Sequence, residues 1–316
     1  MNEEKWNKYL DKVFGVDLEV FYLALEESVS ARGYIHGAIA EVLLTKSLED
    51  SGFEWIRIKE KPSGGFNAKS AEARGDFYIR EKDSQNEYFV IECKGVKTNA
   101  EKHAGLNTQD KVFKYLKKFA FPADDSITKR YDGGLKKYQS KKAEWEGQNP
   151  GKTFPDFNWP KDYPGCDSVD LTGLWPDVKS LKEWVFSYSE DDFSEDAYWN
   201  CTAPIALLQT HMPSVRVAPI TEIKQAGPLT IDFNILAVDL FLRTGKHEFV
   251  FMNPEKISHS PTSPEHLYQN YTIDVLIKEK KPGTTIVPPW YSSIHDCISA
   301  TNPPRRQLDE SQIDSR

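Results

Sequence analysis

Apolar and polar positions divide the chain into a helical opening, a group of strands, a second helical stretch, an irregular passage and a second group of strands. FYLALEESVSARG and YIHGAIAEVLLTKSLEDSG read as helix, with Ile35, Ile39, Leu43 and Leu48 recurring near the helical period and Gly52 at the C-terminal cap. Three strand-like runs follow, FEWIRIKEK, ARGDFYIRE and EYFVIECKG, joined by the turn-rich segments PSGGFNAKS and KDSQN. Helix returns over QDKVFKYLKKF and LKKYQSKKAEWEG, with a turn expected at Asp132-Gly133-Gly134. Periodicity is lost between Gln148 and Asn200, where Pro, Asp and Trp accumulate. Strands resume at APIALLQ, at SVRVAPITEIK and in the hairpin LTIDFNILAVDLFLRTGKHEFVFMN, which should turn at Thr244-Gly245; YTIDVLIK reads as a last strand.

This order predicts an α/β fold in which helices flank a central mixed sheet. Residues 1–300 read as one elaborated domain with its core motifs at 34–99 and a long irregular insertion at 148–200, and residues 301–316 as a polar tail expected to fray.

The third strand carries the most informative chemistry. Alternation puts Glu92 and Lys94 on one face with Val90, while Phe89, Ile91 and Cys93 point into an apolar layer on the other. If the preceding connection is centred on Ser84, Asp76 falls opposite Glu92, with Cβ atoms about 5 Å apart. Two facing carboxylates repel unless a cation lies between them, and a site of hard oxygens with room for water suits Mg²⁺. Glu41, at the edge of the upstream helix's apolar stripe, can reach a site at the sheet's end. The plain alternatives are an ion pair on a solvated sheet face for Glu92 and Lys94 and an ordinary surface position for Glu41. An acid two residues before a lysine is weak by itself, since Asp177-Val178-Lys179 and Glu222-Ile223-Lys224 repeat it; Glu92 and Lys94 stand apart through their apolar strand and the opposing Asp76.

Charge changes the picture locally. The 316 residues carry a net charge of −8, yet Lys94 to Lys142 hold thirteen Lys and Arg against five acids. Such a stretch is either a solvated helical face or a surface that attracts a polyanion such as nucleic acid. Four cysteines without a C-x-x-C pair, no secretory leader and no apolar run near the ~18 residues of a membrane span lead us to expect a cytoplasmic protein. The seven histidines form no metal-binding spacing, and the motifs of serine hydrolases, P-loop enzymes and dinucleotide-binding proteins are missing.

A helix with Glu41, a strand, Gly75-Asp76, a hairpin and then Ile91-Glu92-Cys93-Lys94-Gly95 resembles the PD-(D/E)XK nuclease superfamily, most closely the type II restriction endonucleases. The resemblance covers Tyr34 to Asn99 and departs from the family pattern in having Gly75 where Pro is usual. It implies a restriction-endonuclease-like core, Asp76 and Glu92 as Mg²⁺ ligands, Lys94 as the amine that orients or activates water, and Glu41 as an auxiliary acid. It further implies sequence-specific hydrolysis of double-stranded DNA by a homodimer within a restriction-modification system. Candidate DNA contacts are read from side-chain chemistry: Lys97 in the loop after Lys94, and Arg216 and Gln225, which can form bidentate contacts to G and A edges. A repair, recombination or transposition nuclease, or a DNA-binding module without catalysis, are the alternatives. The Trp-rich insertion reads equally as an interface or as a loop folded over the core.

Overall fold

Ser28 breaks the first helical stretch into two. Its side chain accepts a hydrogen bond from the Ala31 amide and so caps a new helix, while its own amide closes the helix before it. The computed structural model describes residues 3–59, 74–82, 84, 87–95, 108–121, 124–158, 175–187, 205–209, 215–241, 246–256, 259–268, 270–274, 286 and 288–314. It opens with α1 (Glu3–Phe14), α2 (Leu18–Glu27) and α3 (Val29–Asp50). Gly52, at φ +83°, then turns the chain straight into β1 (Phe53–Arg57).

β1, β2 (Phe77–Glu81) and β3 (Phe89–Gly95) form an antiparallel meander, as the sequence predicts. β7 (Ile235–Asp239) then adds in parallel beside β3, and β8 (Phe249–Met252) returns against it as the predicted hairpin. The five-stranded order β1-β2-β3-β7-β8 makes β3 the central strand of a mixed sheet. The hairpin's expected turn, Thr244-Gly245, lies outside the described residues. Three two-stranded sheets accompany the main one: β4 (Ile205–Gln209) with β11 (Asn270–Asp274), β5 (Val215–Val217) with β6 (Lys224–Ala226), and β9 (His259–Ser260) with β10 (Ser263–Leu267). The main sheet is apolar on both faces. One buries Phe77, Ile79, Phe89, Ile91, Ile235 and Phe251 under α3, and the other buries Tyr78, Val90, Leu236, Val238, Val250 and Met252. Near-continuous apolar strands are what a sheet covered on both sides requires.

Three expectations are corrected. Of the expected stripe, Leu48 is buried and Leu43 half-buried, but Ile35 and Ile39 remain exposed, and the sheet docks on Ala40, Leu44 and Leu48 of α3. Helix α3 carries two apolar rows, and the small Ala40 side chain lets the helix approach the strands along the first. Asp132-Gly133-Gly134 form no turn, because α5 (Asp124–Gln148) runs through them. Two helical glycines cost about 1 kcal/mol each relative to alanine, which the burial of Tyr138 and Trp145 against Phe154 offsets. Residues 301–314 of the tail do not fray. After α7 (Ile294–Thr301), Arg306 exchanges two backbone hydrogen bonds with Tyr88, Ile313 bridges Ile58, and the buried Gln312 accepts the Tyr78 hydroxyl at 2.6 Å.

Within the insertion, Asp177 caps α6 (Val178–Phe186) in a reciprocal hydrogen-bonded box with Ser180, so the repeat of the acid-x-lysine pattern there is a helix terminus. Phe186 meets Phe113 of α4 (Gln109–Ala120) edge to face, and Trp184 packs on the buried Trp175, so this part of the insertion folds onto the domain. Cys93 and Cys297 are free and buried. Among the described residues no helix is long and apolar enough to cross a membrane.

Gln312→Ala removes a buried acceptor and should cost about 1–3 kcal/mol. Urea unfolding measures this; a change indistinguishable from zero would mean that the strap contributes nothing to stability.

Candidate metal and hydrolytic site

Glu92 and Lys94 sit on the central strand, one step and three steps beyond Ile91. The register pairs Phe77 with Ile91, Tyr78 with Val90 and Ile79 with Phe89 and ends there; Asp76 lies one residue before β2, near enough for its charge to act on Glu92. The Asp76 amide donates to the Ile91 carbonyl at 2.8 Å, and its Oδ2 accepts the Cys93 amide at 2.7 Å, so both its backbone and its carboxylate are tied to β3. Gly75 makes this approach possible: a Cβ at that position would stand 2.5 Å from Val90 Cγ1 and 2.7 Å from the Ile91 carbonyl oxygen. Any side chain at this position collides with Val90 and the Ile91 backbone.

The electrostatics of the cluster follow from burial. Glu92 is only 4% exposed and lies in contact with the Lys94 ammonium. Burial first, and then the neighbouring Asp76 charge, push the Glu92 carboxyl up from its ordinary 4.5 to about 8, against the pull of Lys94. Asp76 is raised to about 6, again chiefly by burial, with Lys94 and the Cys93 amide opposing and Glu41 reinforcing. Burial also disfavours the charged Lys94, but attraction to Glu92 and Asp76 outweighs it and holds the ammonium above its usual range. The solvated-face reading of Glu92 and Lys94 therefore fails. One half-buried ammonium stands beside two carboxyl groups whose full ionisation would leave the cluster short of positive charge.

Glu41 projects from α3 close enough for its charge to act on Asp76, but its own carboxylate bonds Arg57 at 2.7 Å, and Arg57 in turn lies over the Phe77 ring. The expected DNA contacts fare differently. Arg216 is buried, with Nε donating to Asp232 at 3.2 Å and Nη2 on the other carboxylate oxygen, so its guanidinium offers nothing to a base edge. That reading is corrected: a fully buried acid, Asp232, claims the arginine. Gln225, paired across the hairpin with Arg216, is half-buried and accepts from Ser260 at 3.0 Å. Lys97 lies outside the described residues.

Two groups that sequence reasoning passed over border the cluster. Asp232 acts on Glu92 through its charge, and Arg216 moderates it. Asp239 follows Val238, the parallel neighbour of Lys94, and its carboxylate lies 2.7 Å from His247 Nδ1, whose ring stacks on Phe241. Only the parallel pairing of β3 with β7 brings this pair near the motif, and no local spacing announces it.

No family model matches the chain, and no curated protein or solved structure does either. Among the described residues no group of three or more His, Cys, Asp and Glu side chains gathers as a complete metal shell. Two convergent carboxyl groups with a deficit of positive charge do fit a hard divalent cation that takes its remaining ligands from water and phosphate oxygens.

Because Asp76 and Glu92 titrate higher in the folded protein than in the unfolded chain, the folded state binds the extra protons. Their contribution to stability is present below pH about 4 and is lost as pH rises through about 6 and about 8. The metal-free protein should therefore lose melting temperature between these limits, and Glu92→Gln should lose less. Buried His259 and His266, both lowered to about 4, act in the opposite sense but equally in both proteins. Parallel melting curves for the two proteins across this range would contradict the assignment. Gly75→Ala should destabilise by about 1–3 kcal/mol through the steric conflict at Ile91, again read by urea unfolding, and an unchanged midpoint would show that the contact yields.

Proposed function

We propose that the protein is a Mg²⁺-dependent endonuclease that hydrolyses phosphodiester bonds of duplex DNA at a specific short sequence, in the manner of a type II restriction enzyme. The observation that carries this reading is the gathering of Asp76, just before β2, with buried Glu92 and half-buried Lys94 on the central strand, where burial pushes both carboxyl groups up toward neutrality. Asp76 and Glu92 would hold the ion. When bound it supplies a Lewis acid that polarises the scissile phosphate and makes its water more acidic.

The chain's own groups divide the remaining work. Lys94 stays protonated, so it serves as a donor that orients the attacking water and offsets charge developing on the phosphate, and not as the base that deprotonates water. Glu92 anchors the ammonium through its direct contact. Glu41, held by Arg57, adds negative potential beside Asp76 and so favours a cation there. Exposed Lys111, Lys114 and Lys117 of α4 and Lys136 and Lys137 of α5 support attraction of a polyanion. Cutting both strands of a two-fold symmetric site calls for two copies of the chain.

Incubation with unmethylated phage DNA in Mg²⁺, followed by sequencing of fragment ends, tests the proposal. Discrete fragments with a shared end sequence are expected. Asp76→Asn and Lys94→Ala should each reduce cleavage by at least about 100-fold, with far-UV circular dichroism unchanged. Cleavage that survives in both variants, or a wild-type protein inert on duplex DNA in both Mg²⁺ and Mn²⁺, would overturn the reading.

A further inference from the structure

The last residue of β1, Arg57, brings a second cation to the acidic cluster. It pairs with Phe77 across the ladder, and the next amide, that of Ile58, donates to the Asp76 carbonyl at 2.9 Å. Paired residues share a face, so the Arg57 side chain lies with Phe77 beneath α3. There its guanidinium sits 4.8 Å from the Phe77 ring centroid and donates from Nη1 to Glu41 Oε2 at 2.7 Å. Lys94 projects from the opposite face of the sheet. Both cations act on the Asp76 carboxyl, which is thus bracketed by positive charge from the two sides.

The guanidinium is oriented but not used up. Phe77 supports one of its faces, and among the described residues Glu41 is its one hydrogen-bonded partner, which leaves the other donors of a planar fork open. A contact serving only to tie α3 to β1 would gain from closing both arms of the fork on the carboxylate, and only Nη1 is engaged. The Arg57 side chain is 31% exposed, like the 29% of Lys94, whereas Glu92 keeps 6%. Charge leads the same way. Ionised, Asp76, Glu92 and Glu41 carry three negative charges against two positive ones from Lys94 and Arg57. A divalent ion turns this deficit of one into a surplus of one, which matches the charge of a single phosphodiester.

We propose that Arg57 is a phosphate-contacting residue, its open donors gripping the non-bridging oxygens of a DNA backbone phosphate at the site while Glu41 and Phe77 hold its plane. The assignment rests on the nuclease reading and adds to it the group that seats the backbone. Arginine suits the task where lysine would not, because one planar fork keeps Glu41 and takes phosphate at the same time.

Binding of a duplex that carries the shared fragment-end sequence, followed by fluorescence anisotropy in Ca²⁺ over a range of NaCl concentrations, tests the assignment. Each phosphate contact contributes about 0.9 to the slope of log K against log salt. Arg57→Ala and Arg57→Gln should each reduce that slope by about 0.9 and weaken binding at low salt by about 10-fold, with far-UV circular dichroism unchanged. Arg57→Gln keeps a donor for Glu41 and so guards against loss of the fold. Arg57→Lys, which keeps the charge, should restore the slope. Glu41→Gln should leave the slope unchanged, because it breaks the ion pair without removing a phosphate contact. A slope unaltered in both Arg57→Ala and Arg57→Gln, or reduced equally by Glu41→Gln, would overturn the assignment while wild-type cleavage, and with it the nuclease reading, stood. A wild type that neither binds nor cuts duplex DNA removes both.

Discussion

Glu92, buried on the central strand, shares its surroundings with the half-buried Lys94 ammonium and the Asp76 carboxyl from the segment before β2, and the surrounding structure is arranged around that unbalanced charge. A buried carboxylate without compensation is expensive, and a single lysine compensates one of the two. The protein moderates the excess locally. The Cys93 amide donates to Asp76, Lys94 contacts Glu92, and Arg216 takes up the charge of the nearby Asp232. On the proposed reading a divalent cation would complete the balance of the site and bind with release of protons.

The frame that holds this cluster is assembled from both ends of the chain. Helix α3 covers one face of the sheet through Ala40, Leu44 and Leu48, and the C-terminal residues reach the sheet at the end of β1 through Ile313, at β2 through Gln312 and at the start of β3 through Arg306. These contacts occupy backbone groups that would otherwise be an open strand edge. Asn234 ties the parallel strand to β3 before pairing begins, its side chain accepting the Val90 amide and its amide donating to the Val90 carbonyl. Asp76 and Glu92 thus owe their fixed separation to backbone pairing on each side of β3 and not to the carboxylates themselves, which repel.

Helix α3 serves two surfaces at once. Its inner row packs the sheet, Glu41 stands at the site, and its outer row is apolar without cover. A helix apolar on opposite sides has little amphipathic signature, so periodicity alone assigns it to the core without saying which row enters. The basic helices α4 and α5 present their lysines outward, while Tyr138, Trp145, Val112 and Leu116 turn in. The positive charge of an acidic protein is in this way gathered on two helices.

The amino-acid order by itself determined the strands of the meander, the alternation that separates Glu92 and Lys94 from the apolar layer, and the nearness of Asp76 to Glu92. These depend on period-two geometry and a short connection, both local properties of the chain. The tertiary structure alone decided which row of α3 meets the sheet, that Asp132-Gly133-Gly134 remain helical, that the polar tail is pinned by Gln312, that Arg216 is consumed by Asp232, and that Asp239 and His247 stand beside the motif. Each of these is a choice between nearly equal local alternatives. Contacts between residues far apart in the chain, worth a few kcal/mol in burial and hydrogen bonding, settle such choices, and no window of neighbouring residues contains them.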